Sequence, residues 1–337
     1  MTHNFFSHKT RLQRIINGDD TDRTPIALWR HFPVDDQYPE TLAKSILDYQ
    51  NKFDFDLIKI TPASSFCIKD WGVQDSWKGN TEGTREFLEP KFKNPNELFE
   101  IQALDTSATH LQNQLKALEI IVSNKDENTP VLQTIFSPLA QLKNLVGKEN
   151  LPFYIRAYPD QVLKTLDVIT QTTKKFLSKC ISLKIDGVFY AVQHAQYSLL
   201  SVEEFRIFGK YFDLELLDIT KSLWLNMIHL HGDHVMYDEI LDYPCEILNW
   251  HDRKTQPDLK TGQDKWKKTV CGGLKQWETM AYGTPELVED EAIDAIRSMS
   301  NKHLLLGTGC VMPIITPDAN IWAAINVAKT YQITGGR

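Results

Sequence analysis

At 337 residues and 38.8 kDa, the chain can bury a large core and form one to three domains. Its 37 Lys and Arg against 44 Asp and Glu leave a net charge of −7, which argues against a nucleic-acid or anionic-membrane binder, because phosphate attraction needs clustered positive charge. With 42% hydrophobic and 24% charged residues, wholesale disorder is also excluded.

Residues 1–12 read as an N-terminal extension, polar and basic, without the apolar core of a secretory leader. The five cysteines, at 67, 180, 245, 271 and 310, form no CxxC pair and suit a reducing compartment. No run of 18 apolar residues occurs. The expectation is a soluble, cytoplasmic protein.

Eight short apolar or β-branched runs follow in chain order, at 26–32, 55–62, 131–137, 187–193, 224–232, 247–252, 269–274 and 303–310. Runs of this length suit strands buried on both faces. Helical patterns separate most of them, including 40–53 and 159–180. Ser201 precedes Glu204 at the spacing of a capping box. Thr284-Pro285 and Thr316-Pro317 each place a hydroxyl N-cap before a proline at the first helical position, ahead of apolar-periodic stretches at 287–299 and 321–331. Eight strands alternating with helices predict a single (β/α)8 TIM barrel. The surplus, 63–130, reads as an insertion between the second and third strands, with helical segments near 95–102 and 106–122. A doubly wound open sheet is the rival, but no glycine-rich phosphate loop follows the first strand.

In such a barrel the chemistry sits at the carboxyl ends of the strands. There the chain carries Trp29-Arg30-His31, Lys59, Gln133, Tyr190, Gln193-His194, His229-Leu230-His231, Asn249-Trp250-His251-Asp252, Cys271 and Gly307-Thr308-Gly309-Cys310. His229 and His231, two apart on one strand, share a face, so both imidazoles can reach one ion. Cys310 would supply a third ligand, and its flanking glycine would let the backbone approach closely. Two nitrogens and a sulfur leave one tetrahedral position open, as in catalytic zinc sites. The same three residues can also be read as hydrogen-bonded interior histidines and a small buried thiol. Arg30 is a candidate clamp for an anionic substrate or a surface ion-pair partner. Tyr190, Gln193, His194 and Gln133 are candidate substrate contacts. Asp233 and Asp252 are candidate acceptors that orient a ligating imidazole.

The segment Arg14 to Arg30, the run Val131 to Pro138, the stretch Ile228 to Asp233, and Gly307 to Asn320 together resemble the uroporphyrinogen decarboxylase superfamily in order and spacing. The resemblance implies a (β/α)8 barrel, and family barrels often form homodimers. True decarboxylases of that superfamily hold a tetrapyrrole's acid groups with arginines and an aspartate. Arg30 matches the first arginine, Val34 stands where the second is expected, and Ile60 to Ser65 offers no aspartate. The cobalamin-dependent methyltransferases of the same superfamily bind zinc through a His-x-Cys pair and a distant cysteine. His229, His231 and Cys310 are similar to that set, with His231 in place of the first cysteine. The resemblance thus implies a zinc-dependent methyltransferase, with Arg30, Tyr190 and His194 as candidate catalytic residues and Asp252 among the substrate contacts. A corrinoid on a partner protein would carry the methyl group. A porphyrinogen decarboxylase and a non-catalytic small-ligand binder are the alternatives.

Overall fold

The computed structural model describes residues 6–331; the first five residues of the expected N-terminal extension lie outside them. Among the described residues nine strands occur: β1 Ile58–Ile60, β2 Asp75–Ser76, β3 Glu86–Phe87, β4 Val131–Phe136, β5 Gly187–Val192, β6 Met227–Leu230, β7 Ile247–Trp250, β8 Thr269–Leu274 and β9 Leu304–Thr308. Seven of them form one parallel sheet in the order β1-β4-β5-β6-β7-β8-β9, and β2 and β3 make a separate antiparallel pair. Parallel neighbours need crossovers, and the helices that provide them lie outside the sheet, so both faces of each main strand are covered.

The sheet is curled, and residues 25–30 join its two edges. Leu306 of β9 donates to Pro25 O at 2.9 Å and Ala27 N to Leu306 O at 3.0 Å, while Asp56 N, just before β1, reaches Ile26 O at 2.9 Å. The first predicted strand is therefore two isolated bridges, Ile26 with Leu306 and Arg30 with Met312. Between them the carbonyl of Thr308 takes the Asn249 side-chain amide at 3.0 Å, and no continuous ladder forms. The other seven predicted runs each contain a strand.

Capping chemistry sets several helix starts. Ser201 and Glu204 form the expected reciprocal box, at 3.1 and 2.8 Å. Thr284 caps the helix Pro285–Ser298. Thr316 does not cap the last helix, Asp318–Thr330: its backbone closes a turn onto Pro313 O, its hydroxyl has no partner, and Pro317 is the N-cap. The stretch 63–130 is also not all surplus. Its helix Thr109–Asn124 packs against Pro39–Phe53 and makes the β1-to-β4 crossover, which a parallel pair requires. Only the part before it, with the β2–β3 pair and the short helix Pro95–Glu100, goes beyond that need.

Alternation along the strands creates two cores. Ile58, Tyr190, Ile228, Leu248, Val270 and Leu306 pack outward against the helices. Leu57, Leu132, Phe189, Met227, Ile247, Cys271 and Leu305 face inward, and Leu12 and Ile15 of the helix His8–Asn17 close this inner cluster. The N-terminal segment is thus a plug beneath the sheet rather than a loose extension. Among the described residues no helix is long and apolar enough to cross a membrane.

Candidate metal centre

Strand parity decides which strand-end side chains meet. His229 follows inward-facing Met227 on β6, and His231 continues that face beyond the strand. Cys310 lies two residues past β9 and His251 one past β7. Ligand atoms of His229, His231, His251 and Cys310 all fall within 4.8 Å of one another. Cys310 Sγ is 3.7 Å from His229 Nε2 and 3.6 Å from His231 Nδ1. A tetrahedral zinc with ordinary Zn–N and Zn–S bonds sets nitrogen and sulfur about 3.6 Å apart. The spacing is that of ligands around one ion, and the donor set fits zinc.

Gly309 makes this approach possible. A Cβ there would lie 2.7 Å from His251 Cα and 2.9 Å from Trp250 O, so only glycine lets the Cys310 segment pass the end of β7.

A neighbouring amide fixes one imidazole. Asn249 Nδ2 donates to the carbonyls of Cys271 and Thr308 at 2.9 and 3.0 Å, which turns its Oδ1 towards His229 Nδ1 at 2.6 Å. His229 Nδ1 must therefore carry the proton, and its Nε2 lone pair points at Cys310. This orienting role was expected of Asp233 or Asp252. Instead Asp233 pairs with Lys254 at 3.4 Å, and Asp252 accepts from Gly273 N.

The cluster is neutral and ready to coordinate. Burial, with His251 next, holds His231 down to about 4. Burial also lowers His251 to about 4, and it lowers His229 well below the usual imidazole range. Cys310 is pushed up to about 12, chiefly by burial. Both ring nitrogens of His251 are buried without a partner. Buried polar atoms are rarely left so unless a ligand completes them.

His229, His231 and Cys310 line a cavity of about 100 Å³, whose other walls include Trp29, Lys59, Thr61, Glu82, Phe189 and Gln193. His231 and Glu82 also line an outer cleft of about 320 Å³, together with His251, Asp252 and Trp277. Lys59 is held down to about 7, mainly by burial.

Of the residues expected from sequence, His229, His231, Cys310 and Gln193 line the inner cavity, and Asp252 lines the outer cleft. Three others point through the wall to the helices. Arg30 lies over the rings of Phe32 and Tyr49, 5.4 and 5.2 Å from their centroids. Tyr190 donates to Asp213 of the helix Tyr211–Thr220 at 2.6 Å. Gln133 meets Gln114 at 3.2 Å. His194 is buried outside the cavity lining, and burial holds it at about 3. Sequence reasoning places His251, Asn249 and Lys59 at strand ends but gives them no role. The signal was present in the two-residue alternation, which places Lys59 with Leu57, and Asn249 and His251 with Ile247, on the inner face.

Comparisons with known proteins agree with this architecture. The family model for uroporphyrinogen decarboxylase (URO-D) matches residues 7–331. A methyltransferase from Methanosarcina mazei is similar with a TM-score of 0.84 at 17% identity, covering 96% of this chain and 98% of its own. A B12-independent methionine synthase from Shewanella sp. W3-18-1, in complex with selenomethionine, aligns with a TM-score of 0.57 at 12% identity, over 90% and 93% of the two chains. A putative vitamin-B12 independent methionine synthase from Listeria monocytogenes aligns at 0.53 and 10%, over 90% and 94%. Among curated proteins nothing matches. At these identities the likeness is one of fold.

Proposed function

The chain belongs to the uroporphyrinogen decarboxylase family, and from that premise we propose that it is a zinc-dependent methyltransferase-like enzyme. It moves a methyl group between a corrinoid, carried by a partner protein, and a thiol or O-methyl substrate. One observation carries the reading: Cys310 Sγ stands at tetrahedral-edge spacing from both His229 and His231, and Asn249 holds the His229 lone pair towards the sulfur. His229, His231 and Cys310 would hold the zinc, which when bound would supply Lewis acidity to a substrate heteroatom.

The chain's own groups do the rest. Cys310 would hold the metal as its thiolate, its proton passing to solvent, and the imidazoles, neutral at pH 7, would bind without losing one. Phe189 stacks on His229, with ring centroids 5.3 Å apart, and shields the inner side from water. The substrate enters through the outer cleft, which shares His231 with the inner cavity. The inner cavity, about 100 Å³, suits a small substrate group rather than a whole tetrapyrrole. The decarboxylase reading also loses its arginine, since Arg30 packs on aromatic rings away from the cavity.

Zinc analysis of the purified protein tests the proposal. The expected result is one zinc per chain in the wild type and almost none in His229→Ala and Cys310→Ala. Equal metal content in all three proteins would refute it.

A further inference from the structure

Lys59 has no part in the chemistry proposed above, and its surroundings are unusual. It is 8% exposed, on the inner face of β1. Its Nζ has Thr61 Oγ1 at 3.2 Å and lies 4.5 Å from the Phe189 ring centroid and 6.0 Å from that of Trp29. The two other fully buried cations, Arg11 and Arg23, both meet Asp56. Among the described residues no carboxylate pairs with Lys59: its hydrogen-bond partner is Thr61, and Glu82 lines the same cavity without forming an ion pair with it. A buried ammonium without a counter-charge is costly, and an apolar residue of similar length would pack there at less cost.

The cavity explains what the cost secures. Lys59 and Thr61 line the same space of about 100 Å³ as His229, His231 and Cys310. We propose that Lys59, assisted by the Thr61 hydroxyl, is the oxyanion-binding end of this cavity. It would receive the carboxylate or similar small oxyanion of a short substrate whose other end faces Cys310 and His231. The proposal rests on the cavity's being the reaction chamber of the enzyme proposed above, but it can be tested without metal. The flanking Phe189 and Trp29 rings exclude water, so a charge-assisted bond made there is strong.

Thermal melting of the full-length, metal-free protein in acetate, butyrate, methanesulfonate or inorganic phosphate, at constant ionic strength, provides the test. At least one of these probes should raise the wild-type Tm in a saturable manner, and the one that does identifies the oxyanion. In Lys59→Met the same probe should bind about tenfold or more weakly. Without anion, Lys59→Met should melt at or above the wild-type temperature, because an unpaired buried charge has been removed; a lysine needed by the scaffold would give the opposite shift. Lys59→Gln, polar but uncharged, should lose the anion response likewise. Equal anion responses in wild type and variants, no saturable response in the wild type, or unfolding of both variants would overturn the proposal. Zinc content, measured in parallel, should be unchanged by Lys59→Met, so loss of the metal reading and loss of this one are separate results.

Discussion

Two buried clusters of ionisable side chains lie at opposite ends of the strands, and they are built on opposite principles. Below the sheet, Asp56 receives Arg11 Nη1 at 2.6 Å, Arg23 Nη1 at 2.8 Å, the Ile26 amide at 2.8 Å and His8 Nδ1 at 3.0 Å. Arg11 also holds Asp22 at 2.7 Å. Every charge there has an answer within the chain. Above the sheet, four neutral donors lie within 4.8 Å of one another, and His251 has no partner on either nitrogen. The first cluster is closed and anchors the N-terminal plug. The second is complete only when something from outside enters. Burial is common to both; what separates scaffold from site is whether the polar atoms are already satisfied.

The largest expected effect breaks the closed cluster. Asp56→Ala leaves two buried guanidiniums facing each other and should cost about 3–5 kcal/mol in denaturant unfolding. A loss within experimental error of zero would show the plug to be dispensable. At the open cluster, Asn249→Leu keeps the volume but frees the His229 ring to change tautomer. Zinc affinity, measured by competition with a chelating dye, should fall about 10- to 100-fold, and an unchanged affinity would sever the orienting amide from the metal site.

The smallest effect comes from the rim of the closed cluster. Burial alone would lower His8, but its bonds to Asp56 and Asp54 outweigh that and raise it above 6.5. A raised folded-state value means that the His8 contribution is complete below the unfolded value and is lost as pH rises through the folded one. Stability should therefore fall slightly above about pH 6.5, by less than about 1 kcal/mol. His8→Gln should remove that part of the slope, measured as unfolding midpoints across the pH range, and a slope unaffected by the substitution would place its origin elsewhere.

Much of the architecture is legible in the chain, because a run such as Val131–Phe136 or Gly187–Val192 is apolar on both faces and can only be a covered parallel strand. The first run is the exception: residues 26–32 look like the others, but the Asn249 amide occupies the Thr308 carbonyl between the two bridges. At the site, the His229–His231 spacing and the glycine before Cys310 are local signals, and they single out side chains that the fold brings together. Reading a strand end as a block rather than by alternate residues is what places Arg30, Tyr190 and Gln133 wrongly in the cavity, when their parity sends them to the helices.

The sequence by itself determined the alternation of strand and helix and the inward face of each strand, since both are set within a few residues by side-chain period and capping. The tertiary structure alone decided that a cysteine 79 residues from His231 stands 3.6 Å from it, that His251 joins them, and that Lys59 shares a cavity with Cys310 and His231 without an ion-pair partner. Such distances depend on how far the sheet curls and on the close pass of Gly309 behind β7. No local pattern encodes these, because they arise only when every strand has taken its place.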